Sequence, residues 1–191
     1  MMKKNKILAL VLACIVCVGI GIGGTLAWLT ATTDDVKNTF TTSDINITLA
    51  ETKTDFKMVP GYTIEKDPKV TVLKGSEKCY LFVKLEKSAN FDSFMTYTVA
   101  DGWTQLTGVE NVYYRIVDAD TANDQTFGVI KDNKVTVKDT VTKVDMNALT
   151  ANTYPTLTVA AYASQYMKNN TENFTPADAW AKINPPDASG T

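Results

Sequence analysis

The sequence predicts an all-β domain, a two-sheet antiparallel sandwich with one short C-terminal helix and an N-terminal signal helix. Three observations carry this expectation. After Ala27 the chain holds 27 threonines and 15 valines, β-branched side chains that suit a pleated strand better than a helix. Six stretches alternate: Ile45, Ile47 and Leu49; Val70 and Val72; Cys79, Leu81, Val83 and Leu85; Val112, Tyr114 and Ile116; Val135 and Val137; Leu157, Val159, Ala161 and Ala163. A period of two puts one face of each strand on a core and the other toward water. Turn signals separate the stretches at Pro60-Gly61, Lys74-Gly75-Ser76, Asp101-Gly102, Thr107-Gly108 and Asp132-Asn133, with no ten-residue helical period between them. That spacing favours an antiparallel sandwich over a parallel α/β sheet.

The N-terminus reads as an export signal. Lys3, Lys4 and Lys6 precede the uncharged residues 7–28, a basic n-region followed by an apolar h-region. The run is also long enough to cross about 30 Å of hydrocarbon, so an uncleaved anchor with its lysines inside is the alternative. Gly19, Gly21, Gly23 and Gly24 loosen the end of this helix, and Thr25 and Ala27 offer the small-residue pattern that a signal peptidase reads before Trp28. Cleavage after Ala27 divides the chain into a signal peptide (1–27), a β-sandwich domain (28–184) and a disordered tail (185–191), with membrane contact only before cleavage. The released chain carries 16 basic and 21 acidic side chains, a formal charge of −5. Cys14 and Cys17 fall inside the apolar run, where their spacing has no redox context, and Cys14 follows too short an apolar stretch for lipidation.

The C-terminal helix has a legible start. Thr175 can cap it, Pro176 suits the first helical position, and Asp178 complements the positive end of the dipole. A helix over residues 176–183 follows, with Trp180 and Ile183 three apart on one face and expected to clamp it onto the sandwich.

Composition excludes much chemistry. The chain has no histidine, the commonest general base and zinc ligand, and its acids outnumber its bases, so no basic surface for nucleic acid is expected. Cys79 reads as a buried strand residue. Asp118, Asp120, Asn123 and Asp124 gather oxygen ligands in a loop, but without the spacing and glycine of a calcium hand they read as a solvated turn. Glu65, Lys66 and Asp67 read as a charged strand edge that discourages uncontrolled pairing. Tyr62, Tyr80, Trp103, Tyr113, Tyr114 and Tyr162 can line a groove, though alternating strand aromatics are more often core or cross-strand pairs. No cofactor and no catalytic residue is expected.

Several segments carry a family resemblance. Gly23-Gly24-Thr25-Leu26-Ala27-Trp28-Leu29 resembles the cleavage region of exported proteins processed by the SipW-type signal peptidase, and Val36-Lys37-Asn38-Thr39-Phe40-Thr41-Thr42-Ser43-Asp44-Ile45-Asn46-Ile47 resembles the segment that follows it. Ser43-Asp44 stands where those proteins usually have a glycine. Met58-Val59-Pro60-Gly61-Tyr62-Thr63 is similar to their Pro-Gly turn before the strand at 79–85. Ala161-Tyr162-Ala163-Ser164-Gln165-Tyr166 and Ala177-Asp178-Ala179-Trp180 resemble their closing strand and Ala-Trp helix. Together these resemble the TasA and camelysin family of Gram-positive bacteria. The resemblance implies a jelly-roll-like domain, secreted or held at the cell surface, in many members a fibre of biofilm matrix. Camelysin-like members carry a metalloprotease classification, but no residue here matches a zinc-peptidase motif and that activity is not carried over.

The expectation is therefore a secreted, non-enzymatic structural protein of the cell surface or biofilm matrix. The alternatives are a monomeric surface adhesion or binding module and, behind it, a camelysin-like metalloprotease. Expected partners are a SipW-type signal peptidase and either further copies, assembled into fibres, or other matrix proteins. Cleavage would leave Trp28 and Leu29 at the new N-terminus, followed by Thr30, Thr32 and Val36, a β-branched segment suited to adding a strand to a sheet edge.

Overall fold

The computed structural model describes residues 44–53 and 56–183. In chain order these form β1 (Ile47–Ala50), β2 (Thr63–Glu65), β3 (Lys69–Val72), β4 (Cys79–Lys87), α1 (Phe91–Phe94), β5 (Met95–Val99), β6 (Thr104–Gln105), β7 (Val112–Val117), β8 (Gln125–Gly128), β9 (Ile130–Val137), α2 (Lys143–Asn147), β10 (Leu157–Gln165) and α3 (Pro176–Ile183). The chain is mostly β, and every strand pair is antiparallel.

Three hydrogen-bonded sheets are present, in the orders β10-β4-β7-β6, β1-β3-β8 and β2-β9-β5. The last two are one layer of a sandwich. β2 runs into β3 through Lys66, Asp67 and Pro68, and β8 runs into β9 through Val129 alone. Across this junction Val129 N–H donates to the Pro68 carbonyl at 3.0 Å and Lys66 N–H donates to the Asn133 carbonyl at 2.8 Å. The ladder is interrupted where Pro68 has no N–H to give. β4 pairs with the last strand, β10, while β2–β3 pairs with β8–β9; these sequence-distant partners wrap the chain around its core in jelly-roll-like fashion.

The inward faces meet in a core of Val70, Val72, Cys79, Leu81, Val83, Leu85, Val117 and Val129. A second cluster of Phe91, Met95, Ile130, Val135, Val137 and Val141 fills the part between β5, β9 and the turn before α2. A third lies on the outer face of β4, where Tyr80 and Phe82 pack with Leu106, Val112, Ala179 and Trp180. β4 therefore departs from the expected one-sided burial: Cys79 to Val83 are buried on both faces, because α3 covers the side opposite the sandwich core. Burying a Phe or Leu fully contributes about 1.5–3 kcal/mol, so this strand is the most strongly held of the layer.

α3 begins as its sequence predicts. The Thr175 hydroxyl accepts from Asp178 N–H at 3.1 Å and donates to the Asp178 carboxylate at 2.7 Å. Trp180 packs on Phe82 and, edge-on, on Tyr162, each with ring centres 5.3 Å apart.

Two further expectations need correction. Asp132-Asn133 does not divide two strands but lies within β9, with φ of 53° and 57°. Both residue types tolerate the left-handed region, and here they form a bulge, since Val99 pairs with Ile130 and Tyr97 pairs with Val135. Tyr62 is 67% exposed and belongs to neither core nor cross-strand pair, because it follows the left-handed Gly61 (φ 75°) in the turn leading into β2.

Candidate functional site: an uncharged edge strand

A sandwich leaves edges, and an edge strand's unpaired N–H and C=O groups are a template for another strand unless they are shortened, bulged or charged. β1 and β5 are edges of four and five residues, and β6 has two. β10 is different. It is nine residues long and pairs with β4 in unbroken register from Leu157 opposite Lys87 to Gln165 opposite Cys79. Its sequence, Leu-Thr-Val-Ala-Ala-Tyr-Ala-Ser-Gln, contains no charge, no proline and no glycine. Among the described residues none bonds to the backbone on its outer side.

Its neighbours pack on both faces of β10. Leu157, Val159, Ala161 and Ala163 pack on the core between the layers, while Tyr162 on the other face is held by Trp180 of α3. Alanines at 160, 161 and 163 keep the side chains low. The edge thus presents a straight row of backbone donors and acceptors, with the sequence alternation fixing which face of an incoming strand meets the core.

Both ends of this edge are marked. At the Gln165 end Tyr166 N–H donates to the Lys78 carbonyl, and next to it Glu77 N–H donates to the Asp44 carbonyl. At the Leu157 end lies a groove of about 300 Å³ lined by Phe56, Met58, Ile64, Phe91, Met95, Tyr154 and Leu157. Lys66 also lines it, its ammonium 2.7 and 2.9 Å from the two oxygens of Glu51 and 5.8 Å from the Phe56 ring centre.

The residues singled out for cleavage and assembly, Thr25, Ala27, Trp28, Leu29, Thr30, Thr32 and Val36, lie outside the described residues, as does the tail at 185–191. The acidic loop does not converge. Asp120 accepts from the N–H groups of Ala122 and Asn123 at 2.7 and 3.0 Å, Asp124 accepts from Lys74 N–H at 2.8 Å, and Asp118 pairs with Lys78 at 2.7 Å. Those amide donors hold the Asp120 carboxyl below its usual range. Among the described residues no group of three or more Cys, Asp and Glu side chains is placed to hold a metal ion, and no helix is long and apolar enough to cross a membrane.

Glu65, Lys66 and Asp67 do more than stud an edge. Asp67 accepts from the N–H and hydroxyl of Thr52 at 3.0 and 2.7 Å, and Lys66 grips Glu51, so Lys66 and Asp67 strap residues 51–52 to the β2–β3 junction. Cys79 is fully buried and desolvation pushes its thiol up to about 11, which leaves no thiolate for nucleophilic chemistry near neutrality. Tyr80, Tyr114 and Tyr162 join the cluster under α3, while Tyr113 and Trp103 pack on the sandwich core.

Comparison with protein-family models, curated proteins and solved structures finds no match. The functional reading therefore rests on the geometry and on the sequence resemblance. The lack of charge across nine consecutive strand residues at 157–165 was visible in the sequence; that β10 lies at an edge was not.

Proposed function

We propose that this is a secreted, non-enzymatic structural protein of the cell surface or biofilm matrix, a fibre subunit assembled by strand addition. The open, uncharged, unbulged edge of β10 carries this reading. Natural sandwiches defend edges of this length, and an undefended one suits a protein whose task is pairing. The segment expected to be released by signal cleavage, residues 28–36, equals β10 in length. Added to that edge it gains backbone hydrogen bonds along its whole run, and its apolar Trp28 and Leu29 gain pockets.

If the segment comes from the same chain the product is a monomer. If it comes from a neighbour the contact is heterologous, does not close, and propagates a filament. The similarity to TasA and camelysin proteins supports the second outcome, and retention of the precursor at the membrane would delay assembly until export.

Deletion of residues 28–35 tests the proposal. The truncated protein should keep the circular dichroism and melting of a folded β domain, yet form no filaments under the electron microscope. A truncated protein that polymerises as before, or one that does not fold, overturns it. The second reading, a monomeric surface binding module, is favoured by the apolar groove at the Leu157 end; a mature protein that stays monomeric at every concentration would select it.

A further inference from the structure

Of the chain's 19 basic residues, Arg115 alone is an arginine. Where eighteen positions use lysine, the exception points to a need for what lysine lacks: a planar, delocalised cation with donors in a fixed fork. Arg115 lies on β7 opposite Leu81, on the same strand face as Tyr113 and Val117, which pack on the core between the layers.

Two aromatic rings flank its guanidinium. The central carbon is 3.8 Å from the centre of the Phe127 ring and 5.4 Å from that of Trp103, and Trp103 is pinned by its indole N–H, which donates to the Gly128 carbonyl at 2.8 Å. The Asp101-Gly102 turn passes close beside the fork. A Cβ on Gly102 would stand 3.2 Å from Nη2 of Arg115, and Gly102 adopts φ 86°, so glycine serves both the turn and this close approach.

Among the described residues this charge has no counterpart. Among the described residues no carboxylate pairs with Arg115, and its Nε is buried without a hydrogen-bond partner. Burial pulls its pKa down, yet a guanidinium stays charged at every physiological pH, and a partly desolvated cation is costly until an anion answers it. Asp101, beside it in the turn, is 87% exposed and directed to Lys131 at 3.3 Å.

We propose that Arg115 is the receptor for a carboxylate carried by a ligand outside this domain, which meets the guanidinium edge between Trp103 and Phe127. A planar carboxylate that approaches in the plane of the cation matches its fork with two parallel hydrogen bonds. A phosphate dianion fits less well, because Asp101 stands at the rim.

Titration of the isotope-labelled mature protein with N-acetyl-glutamate, at constant ionic strength, tests this through the indole N–H resonance of Trp103. The expected result is a saturable shift at Trp103 and none at Trp180, with inorganic phosphate giving a smaller response. In Arg115→Lys, which keeps the charge and loses the fork, affinity should fall about tenfold. Circular dichroism and melting of that variant show whether it is folded, and the wild-type titration decides the matter if it is not. The proposal is overturned by the absence of a saturable shift in the wild type, or by equal affinity in Arg115→Lys. It also falls if Asp101→Asn destabilises the fold as much as Arg115→Gln, or if the probe binds only after residues 28–35 are deleted, since either would make the missing anion internal.

Discussion

The two layers of the sandwich end differently, and the contrast shows which edge is guarded. In the layer that contains β5 and β9, the outer strand is five residues long, it follows directly on the short helix α1, and its partner bulges between Ile130 and Val135 around Lys131, Asp132, Asn133 and Lys134. A bulge twists an edge away from any second strand, and charges beside it make pairing more costly. The opposite layer ends in β10, nine residues in unbroken register without one charge. Among the described residues the molecule thus carries both a bulged, charged edge at β5–β9 and a long, uncharged, unpaired one at β10.

Introducing the missing defence gives the largest expected effect. Thr158 and Gln165 are exposed positions at the two ends of β10, where substitutions usually change stability by less than about 0.5 kcal/mol. A Thr158→Lys, Gln165→Lys variant should therefore melt like the wild type while losing filaments by electron microscopy and sedimenting as a monomer. Filaments that persist in this variant would show that the edge of β10 is not the contact.

Loosening the support behind β10 comes next. Trp180 is 6% exposed and touches both Phe82 and Tyr162, so it ties α3 to two neighbouring strands at once. Trp180→Ala should cost about 3–5 kcal/mol in chemical denaturation, the usual loss for deleting a large buried aromatic. Hydrogen exchange should accelerate in β10 and β4 more than in β5 and β9. Equal acceleration in both layers would mean that α3 supports the whole sandwich rather than the open edge.

A smaller effect belongs to the guarded side. Thr142 caps α2, its hydroxyl accepting from Asp145 N–H at 3.3 Å while its own N–H donates to the Asp145 carboxylate at 2.8 Å. Thr142→Ala should cost about 1 kcal/mol by denaturation, with assembly unaffected.

Particular residues explain what was legible in the sequence. Alternation located β1, β3, β4, β7, β10 and the second half of β9, and the Thr175-Pro176 start placed α3 over its observed span. β2 and β6 have three and two residues, too few to display a period of two, and β8, Gln-Thr-Phe-Gly, carries a single apolar side chain. β5 does alternate, with Met95, Tyr97 and Val99, but it follows Phe91 and Phe94 at helical spacing without a turn between. In β4 the unbroken apolar run of Cys79 to Val83 is itself the mark of a strand buried on both faces, and alternation drew attention to one face of it. The capping box at Thr142 and Asp145 had its sequence form too. Which strand ends a layer could not be read, because edge position is a property of long-range pairing. Arg115 stood out by composition, while the rings that flank it come from β8 and from the turn before β6.

The smallest expected effect is a response to pH, and its distribution across the molecule sharpens the same comparison. Asp67, Asp120 and Asp145 all have carboxyls held below the usual carboxylate range, Asp67 by the Thr52 hydroxyl and N–H, Asp120 by the N–H groups of Ala122 and Asn123, and Asp145 by the Thr142 hydroxyl and N–H. A carboxylate whose folded pKa lies below its unfolded value contributes stability that is fully present above the unfolded value and is lost as pH falls through the folded one. Melting should therefore be flat from neutrality down to about pH 5 and decline progressively below about pH 4, where these tethers protonate. Asp145 is exposed and Asp67 and Asp120 are partly buried, and each contribution is small. They fasten residues 51–52, the loop after β7 and the start of α2, whereas β10 has no carboxyl side chain. Hydrogen exchange at about pH 3.5 against about pH 6, corrected for intrinsic rates, should show loss of protection at those three places while β10 keeps its own. A uniform loss that includes β10 would mean that the charged tethers stabilise the whole sandwich. The open edge would then depend on the guarded side, and the division between the two would not hold.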